Sequence, residues 1–244
     1  MPPQPAPKRD TSSLYLPLSI VLAGVIVAGG LYFGLSNQGS TSGTKPTTPS
    51  VNIKDVKIEG APYIGKADAP VVMAFWADFQ CPYCKSVEVG HAQIPIDPAL
   101  PDLVKNYVDT GKLKIVFKDY PFLGEDSLTG GEYARAVWEL YPNEYLAFRT
   151  AMYEAQDDEG DQGFGDAASI DQLIKAELPN IDGAKVKAAV AANKAKYDAA
   201  MSADRDEGTK LGIQGTPAFI IGKTLIPGAT GLSSFTDVID PLLK

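Results

Sequence analysis

The sequence predicts an α/β domain carried behind one N-terminal membrane-spanning helix. Three observations predict it. A 22-residue apolar run without charge lies near the N-terminus, from Leu14 to Leu35. An apolar run, Pro70 to Trp76, leads directly into Cys81-Pro-Tyr-Cys84, which reads as strand, loop and helix start. A long stretch of helical spacing then separates this unit from a C-terminal return to alternating, strand-like sequence.

The first 35 residues comprise a Pro-rich tail, with Lys8 and Arg9, and the apolar run. As a helix the run spans roughly 33 Å, enough for a hydrocarbon core of about 30 Å. Tyr15 and Tyr32 lie near its ends, where amphipathic rings favour the interface. The positive charges precede the run, so the N-terminus is expected in the cytoplasm and the remainder outside it. A cleaved signal peptide is the alternative, with small residues at Ala28, Gly30, Gly34 and Ser36. Its apolar region is usually 7–15 residues, shorter than this run. Either way the rest of the chain is exported, where disulfides persist. Residues 36–50 read as a flexible linker with a reach on the order of 20 Å.

Beyond residue 35 the chain carries 20 basic and 29 acidic residues, a net charge of −9. That balance argues against nucleic acid as a partner, since phosphate binding requires a basic face. The length suits one domain, 51–244, with an insertion.

Val51 to Ile58 alternates loosely, as a first strand would, and Tyr63 to Val71 reads as a loop. Pro82 is excluded from a helix interior but suits a first turn, so a helix should begin at the cysteines and run to about Gly90. A second helical piece is expected from Asp102 to Asp109. Lys112 to Lys118 alternates as a strand. From about 123 to 206 the pattern is helical. Tyr133, Val137 and Leu140 share helical spacing, and the aromatic and Met positions Tyr133, Tyr145, Phe148, Met152 and Tyr153 are placed as core or groove lining. Ser169 with Gln172 reads as a capping box, and Asp182 as the cap of a long Ala-rich helix. In the acidic stretch 157–166, Asp157, Glu159 and Asp161 sit at calcium-loop positions one, three and five. Gln162 and Ala168 occupy the places of the required Gly and Glu, so this reads as a mobile acidic loop. A strand is expected over Gly215 to Gly222, with a turn at Gly222–Lys223. Ser233 should cap a last amphipathic helix.

Cys81 and Cys84 are the only cysteines. A cysteine at a helix start meets unpaired N–H groups and the positive dipole end, which favour a thiolate. Cys81 is expected to be exposed and to be the sulfur that attacks or is attacked. Cys84, one turn in, would be buried and resolve the mixed disulfide. A structural zinc site needs about four ligands, against two Cys and the single His91. A structural disulfide would close too small a loop to gain much chain entropy. A reduced, inert pair would require the cytoplasm.

Asp78-Phe-Gln-Cys-Pro-Tyr-Cys-Lys85, preceded by Gly65-x-x-Asp-Ala-Pro-Val71, and Gly212-Ile-Gln-Gly-Thr-Pro-Ala-Phe219 resemble the DsbA-like thiol–disulfide oxidoreductases, in particular their membrane-tethered branch. The resemblance covers about 51–244 and implies a thioredoxin-like fold with a helical insertion at about 123–206. It implies a cis Thr216–Pro217 peptide facing the sulfurs, which spacing alone does not predict, since X–Pro bonds are cis in only about 5–6% of folded cases. Pro82, Tyr83, Thr216 and Pro217 become the positions that tune the pair or contact substrate. It further implies cysteine-containing exported proteins as substrates, a membrane partner that reoxidises the pair, and no cofactor. Reductase or isomerase activity is the alternative on the same fold, and a chaperone or binding domain the alternative of another class. The chain departs from the pattern at Phe75, where relatives keep a buried acid six residues before the first cysteine. Asp78 and Lys118 are the nearby candidates for proton handling, though exposed or ion-paired roles suit both. Tyr83 offers no positive charge to a thiolate. The stretch from His91 to Pro101 is long for this family, with His91 expected on the surface.

Overall fold

The computed structural model describes residues 51–157 and 163–244. The apolar run, the 36–50 linker and residues 158–162, with the calcium-loop positions Glu159, Asp161 and Gln162, lie outside the described residues. No helix among the described residues is long and apolar enough to cross a membrane.

Strands β1 (Tyr63–Ile64), β2 (Val71–Ala77), β3 (Leu113–Asp119), β4 (Ala218–Ile221) and β5 (Thr224–Pro227) form one sheet in the order β1-β3-β2-β4-β5. β2 lies at its centre, parallel to β3 and antiparallel to β4. Parallel neighbours need a crossover. Helix α1 (Pro82–Glu88) and helix α2 (Ala99–Leu103), which continues as a π-helical turn over Val104–Val108, supply it. Between β3 and β4 the chain inserts α3 (Glu125–Leu140), α4 (Tyr145–Ala155), α5 (Ala167–Glu177) and α6 (Gly183–Lys210). Helix α7 (Leu232–Leu242) ends the fold.

The period of two along β2 divides the interior. Met73, Phe75 and Ala77 face the larger core, which contains both cysteines and residues of the helices. Ala74 and Trp76 face a smaller core with Val51, Val56, Tyr120, Ile213, Ala218 and Ile220. Phe75 is fully buried between Phe117 and Phe219, with ring centroids 5.8 and 4.5 Å away. Burial of such a side chain contributes about 2 kcal/mol. Trp76 donates its indole N–H to the Asp204 carbonyl at 3.0 Å. Gly208 makes that approach possible, since a Cβ there would stand 2.8 Å from the indole nitrogen.

Several local expectations hold. Asp182 caps α6 by accepting from the Lys185 N–H. Gly222 and Lys223 turn the β4–β5 hairpin, with Ile221 paired to Thr224. Others need correction. Val51 to Ile58 is not a strand. Asn52 accepts from Lys54 N–H and caps a 3₁₀ turn, Ile53–Asp55, while Val51 and Val56 enter the smaller core. Tyr63–Ile64, read as loop, pairs with β3 at the sheet edge. α2 begins at Ala99, three residues before Asp102. α5 begins at Ala167, because Asp166 rather than Ser169 supplies the capping oxygen. α7 starts at Leu232 after Gly231, before Ser233 can act as cap.

Candidate active site

β2 ends at Ala77, and seven residues later the chain is one turn into α1. Cys81 is the N-cap of that helix and Pro82 its first residue. The Cys81 carbonyl accepts from the N–H groups of Cys84 at 3.0 Å and Lys85 at 3.1 Å, closing the first turn. From the far side, the turn between α6 and β4 brings its cis Thr216–Pro217 peptide against the motif. The Cys81 thiol donates to the Thr216 carbonyl at 3.4 Å. The two segments that carry the family resemblance, 135 residues apart, therefore meet at one sulfur.

The two sulfurs have opposite electrostatics. The hydrogen bond from the Cys84 thiol lowers the Cys81 thiol to about 7. Burial opposes this, while the Thr216 side chain and the Cys84 and Tyr83 N–H groups assist. Cys84 is fully enclosed, and burial pushes its thiol well above the ordinary value, with the Cys81 sulfur adding to the rise. One sulfur is thus suited to be an anion and its neighbour to hold a proton.

Cys81 itself is only 3% exposed, a correction to the expectation of an open tip. The Thr216–Pro217 turn packs against its sulfur. The exposed members of the site are Tyr83, at 53%, and Phe122, at 45%. Pro82 is half-buried and Pro217 buried.

The loop before Cys81 is held from four directions. The Asp78 carboxylate accepts from Gln80 N–H at 2.8 Å and from Phe122 N–H at 2.9 Å. The Asp78 carbonyl accepts from Cys81 N–H at 3.1 Å and from the Tyr153 hydroxyl at 3.1 Å. Gln156 Nε2 donates to the Phe79 carbonyl at 2.6 Å, and Gln80 Nε2 to the Phe164 carbonyl at 3.0 Å. Lys85 Nζ donates to the Gln156 carbonyl at 2.6 Å. Asp78 is neither exposed nor ion-paired, contrary to expectation. It is a buried turn-former, and burial raises its carboxyl. Lys118 is ion-paired, but to Asp204 and Glu207, away from the sulfurs. His91 is half-buried, and its Nδ1 accepts from Gln93 N–H at 3.1 Å. Among the described residues no three His, Cys, Asp or Glu side chains converge as a metal site.

Residues 57–241 match the family described as thioredoxin. The chain belongs to the thioredoxin family. Within that family it is a DsbA-like thiol–disulfide oxidoreductase. The probable disulfide bond formation protein D of Bacillus anthracis is 26% identical over 237 residues, covering 97% of this chain and 99% of that one. The crystal structure of oxidised BdbD from Bacillus subtilis is 25% identical with a TM-score of 0.65, covering 77% and 95%. The thiol-disulfide exchange protein α-DsbA2 of Wolbachia pipientis is 26% identical with a TM-score of 0.63, covering 78% and 90%. The α/β fold with a helical insertion is that of these relatives.

Sequence reasoning placed Tyr153 only as core or groove lining, and missed Gln156 and Phe122 as members of the site. A signal existed for the first two. Asp78 and Phe79 present buried carbonyls that need donors, and Tyr153 and Gln156 are polar groups three residues apart at the end of one helix.

The lowered thiol gives a direct prediction. Alkylation of the reduced protein by iodoacetamide should follow a single ionisation with a midpoint near pH 7, carried by Cys81 alone. A midpoint at 8.5 or above, the range of a free cysteine, refutes the assignment. The reduced protein should also gain about 1 kcal/mol of stability between pH 6.5 and 8. The sign follows because a depressed thiol stabilises the fold above its folded value and loses that contribution as pH falls through it. The oxidised protein has no such dependence.

Proposed function

We propose that the protein is an extracytoplasmic disulfide oxidase that introduces disulfides into exported proteins through Cys81 and Cys84. The observation that carries this reading is the asymmetry of the two sulfurs, with Cys81 favoured as anion against the Thr216–Pro217 turn. A substrate thiolate attacks Cys81 Sγ of the disulfide. The S–S bond breaks, and its electron pair goes to Cys84 Sγ, which takes up a proton. A second substrate thiolate then attacks the substrate sulfur of the mixed disulfide, and Cys81 leaves as thiolate. Two substrate thiols lose two electrons and two protons; the protein gains both electrons and retains one proton on Cys84.

In this reading Thr216 and Pro217 lie along the substrate backbone, and Tyr83 and Phe122 offer the exposed apolar contacts. Pro82 starts the helix that holds the anion. The apolar run at 14–35, with Lys8 and Arg9 before it, tethers the domain outside the cytoplasm. A quinone-linked membrane partner withdraws the electrons and restores the disulfide. The names of the Bacillus relatives, which refer to disulfide bond formation, support this direction.

A reductase is the second reading, and one observation favours it. Cys81 is lowered only to about 7, close to thioredoxin at about 7 rather than to DsbA at roughly 3.5. The test is the reduction potential of the full chain, by thiol trapping in glutathione buffers. A value near −120 mV supports oxidation and one near −270 mV supports reduction, on the scale of roughly those two proteins.

A further inference from the structure

A buried ion pair is carried one turn past Cys84 on the same helix and has no part in the exchange steps above. Glu88 belongs to α1, four residues after Cys84. That spacing places its Cβ about 5–6 Å from that of Cys84 on the same helix face. Glu88 Oε1 accepts from Arg149 Nη2 of α4, and the two side chains are 1% and 2% exposed. Aromatic rings enclose the guanidinium: Phe117 at 4.0 Å, Phe79 at 5.1 Å, Phe75 and Tyr153 at 5.6 Å, and Tyr145 at 5.8 Å. Glu88 Oε2 and Arg149 Nε are buried with no hydrogen-bond partner. Tyr153 lies within the field of both centres: its phenol is raised first by burial, then by the charges of Cys84 and Glu88.

Stability does not account for such a pair. Exchanging a buried ion pair for apolar side chains of similar volume is often neutral or stabilising. What an apolar pair cannot supply is a fixed charge in a medium with little screening. The carboxylate is the member carried on the helix of Cys84, and the guanidinium approaches from a different helix. We propose that Glu88 and Arg149 set the reduction potential of the Cys81–Cys84 pair, with the carboxylate opposing and the guanidinium favouring negative charge on the sulfurs. Reduction places two electrons on the sulfurs and one proton on Cys84, leaving one net negative charge at Cys81. Glu88 makes that charge less favourable and so biases the pair toward the disulfide, while Arg149 offsets part of the bias. Both are positioning residues, since neither enters the bond exchange.

The inference rests on Cys81 and Cys84 being the reacting pair. The test is the glutathione equilibrium of full-length Glu88→Gln, Glu88→Asp and Arg149→Gln. Glu88→Gln should raise the equilibrium constant for reduction about tenfold, which is about 30 mV more oxidising, and speed alkylation of Cys81 at pH 6. Glu88→Asp, which disturbs packing but keeps the charge, should stay near wild type. Arg149→Gln should not become more oxidising. A Glu88→Gln equilibrium that is unmoved or shifted the other way overturns the proposal, as does Glu88→Asp behaving like Glu88→Gln. A second measurement needs no variant to fold. In reduced wild type labelled with carboxyl-¹³C glutamate, the Glu88 resonance should titrate with Cys81, and a resonance indifferent to that ionisation also overturns it. Slow alkylation of wild-type Cys81 would instead defeat the assignment of the reacting pair. Fast alkylation with an unmoved Glu88→Gln defeats this inference alone.

Discussion

Cys81→Ala is expected to reduce turnover of a reduced, unfolded substrate to the rate seen without protein, whereas Cys84→Ala is expected to trap covalent adducts. The two outcomes differ because the sulfurs are placed differently. Cys81 donates to the Thr216 carbonyl and is the sulfur at the helix start, so its loss removes the sulfur at which the proposed exchange begins. Cys84 is fully enclosed. Its part is to expel a partner from Cys81 by attacking from within. In Cys84→Ala, the Cys81 thiolate still attacks a disulfide and releases one thiolate, but no internal sulfur remains to displace the partner it has captured. Non-reducing electrophoresis with mass spectrometry should show the adduct on Cys81, sensitive to dithiothreitol. Equal loss of adducts in both variants, or turnover in Cys81→Ala at the wild-type rate, contradicts the proposed mechanism.

The motif was legible because its determinants are local. An apolar strand, a Pro that tolerates only a first turn and the two-residue cysteine spacing lie within 15 residues, and each restricts the same backbone. Asp182 and the Gly222–Lys223 turn were legible for the same reason. Expectations failed where a distant partner decides. The alternation of Val51 to Ile58 is genuine, but the segment has only a single backbone bond to the hairpin, from Ile53 N–H to the Gly222 carbonyl, rather than a ladder. Tyr63–Ile64 is too short for a period to be detected and becomes a strand only because β3 lies beside it. The buried charges were least legible. The ionic partners of Glu88, Arg149, Asp204 and Lys118 lie between 61 and 89 residues away, and only the tertiary fold brings them together. Phe75 shows the same limit. The family resemblance marked it as the place of a missing acid, while the buried Glu88–Arg149 ion pair comes from α1 and α4, with Arg149 5.6 Å from its ring.

The largest effect on stability is expected at Asp204. Its carboxylate on α6 joins two cations from different elements: Lys118 of β3 at Oδ1, and Arg135 of α3 at Oδ2, 2.6 Å away. Asp119 N–H also donates to Oδ2 at 3.2 Å, and Arg135 reaches Asp119 Oδ2 at 2.6 Å. Lys118 holds Glu207 at 3.0 Å. The side chains of Lys118, Asp204 and Arg135 are 4%, 9% and 12% exposed, so water replaces little of what is lost. Asp204→Ala leaves two buried cations with one carboxylate each. Removing one member of such a network costs about 3 kcal/mol, which for a domain of this size lowers Tm by roughly 10 °C. Lys185→Ala, which breaks an exposed pair with Asp182, should cost well under about 1 kcal/mol. Scanning calorimetry of the three proteins measures the contrast. The reduction potential should stay at the wild-type value in Asp204→Ala. Lys118 pairs in register with Trp76 and so shares its face of the sheet, whereas Phe75 and the cysteines belong to the other. A potential that moved with this network would mean that the sheet does not insulate the sulfurs from charges behind it.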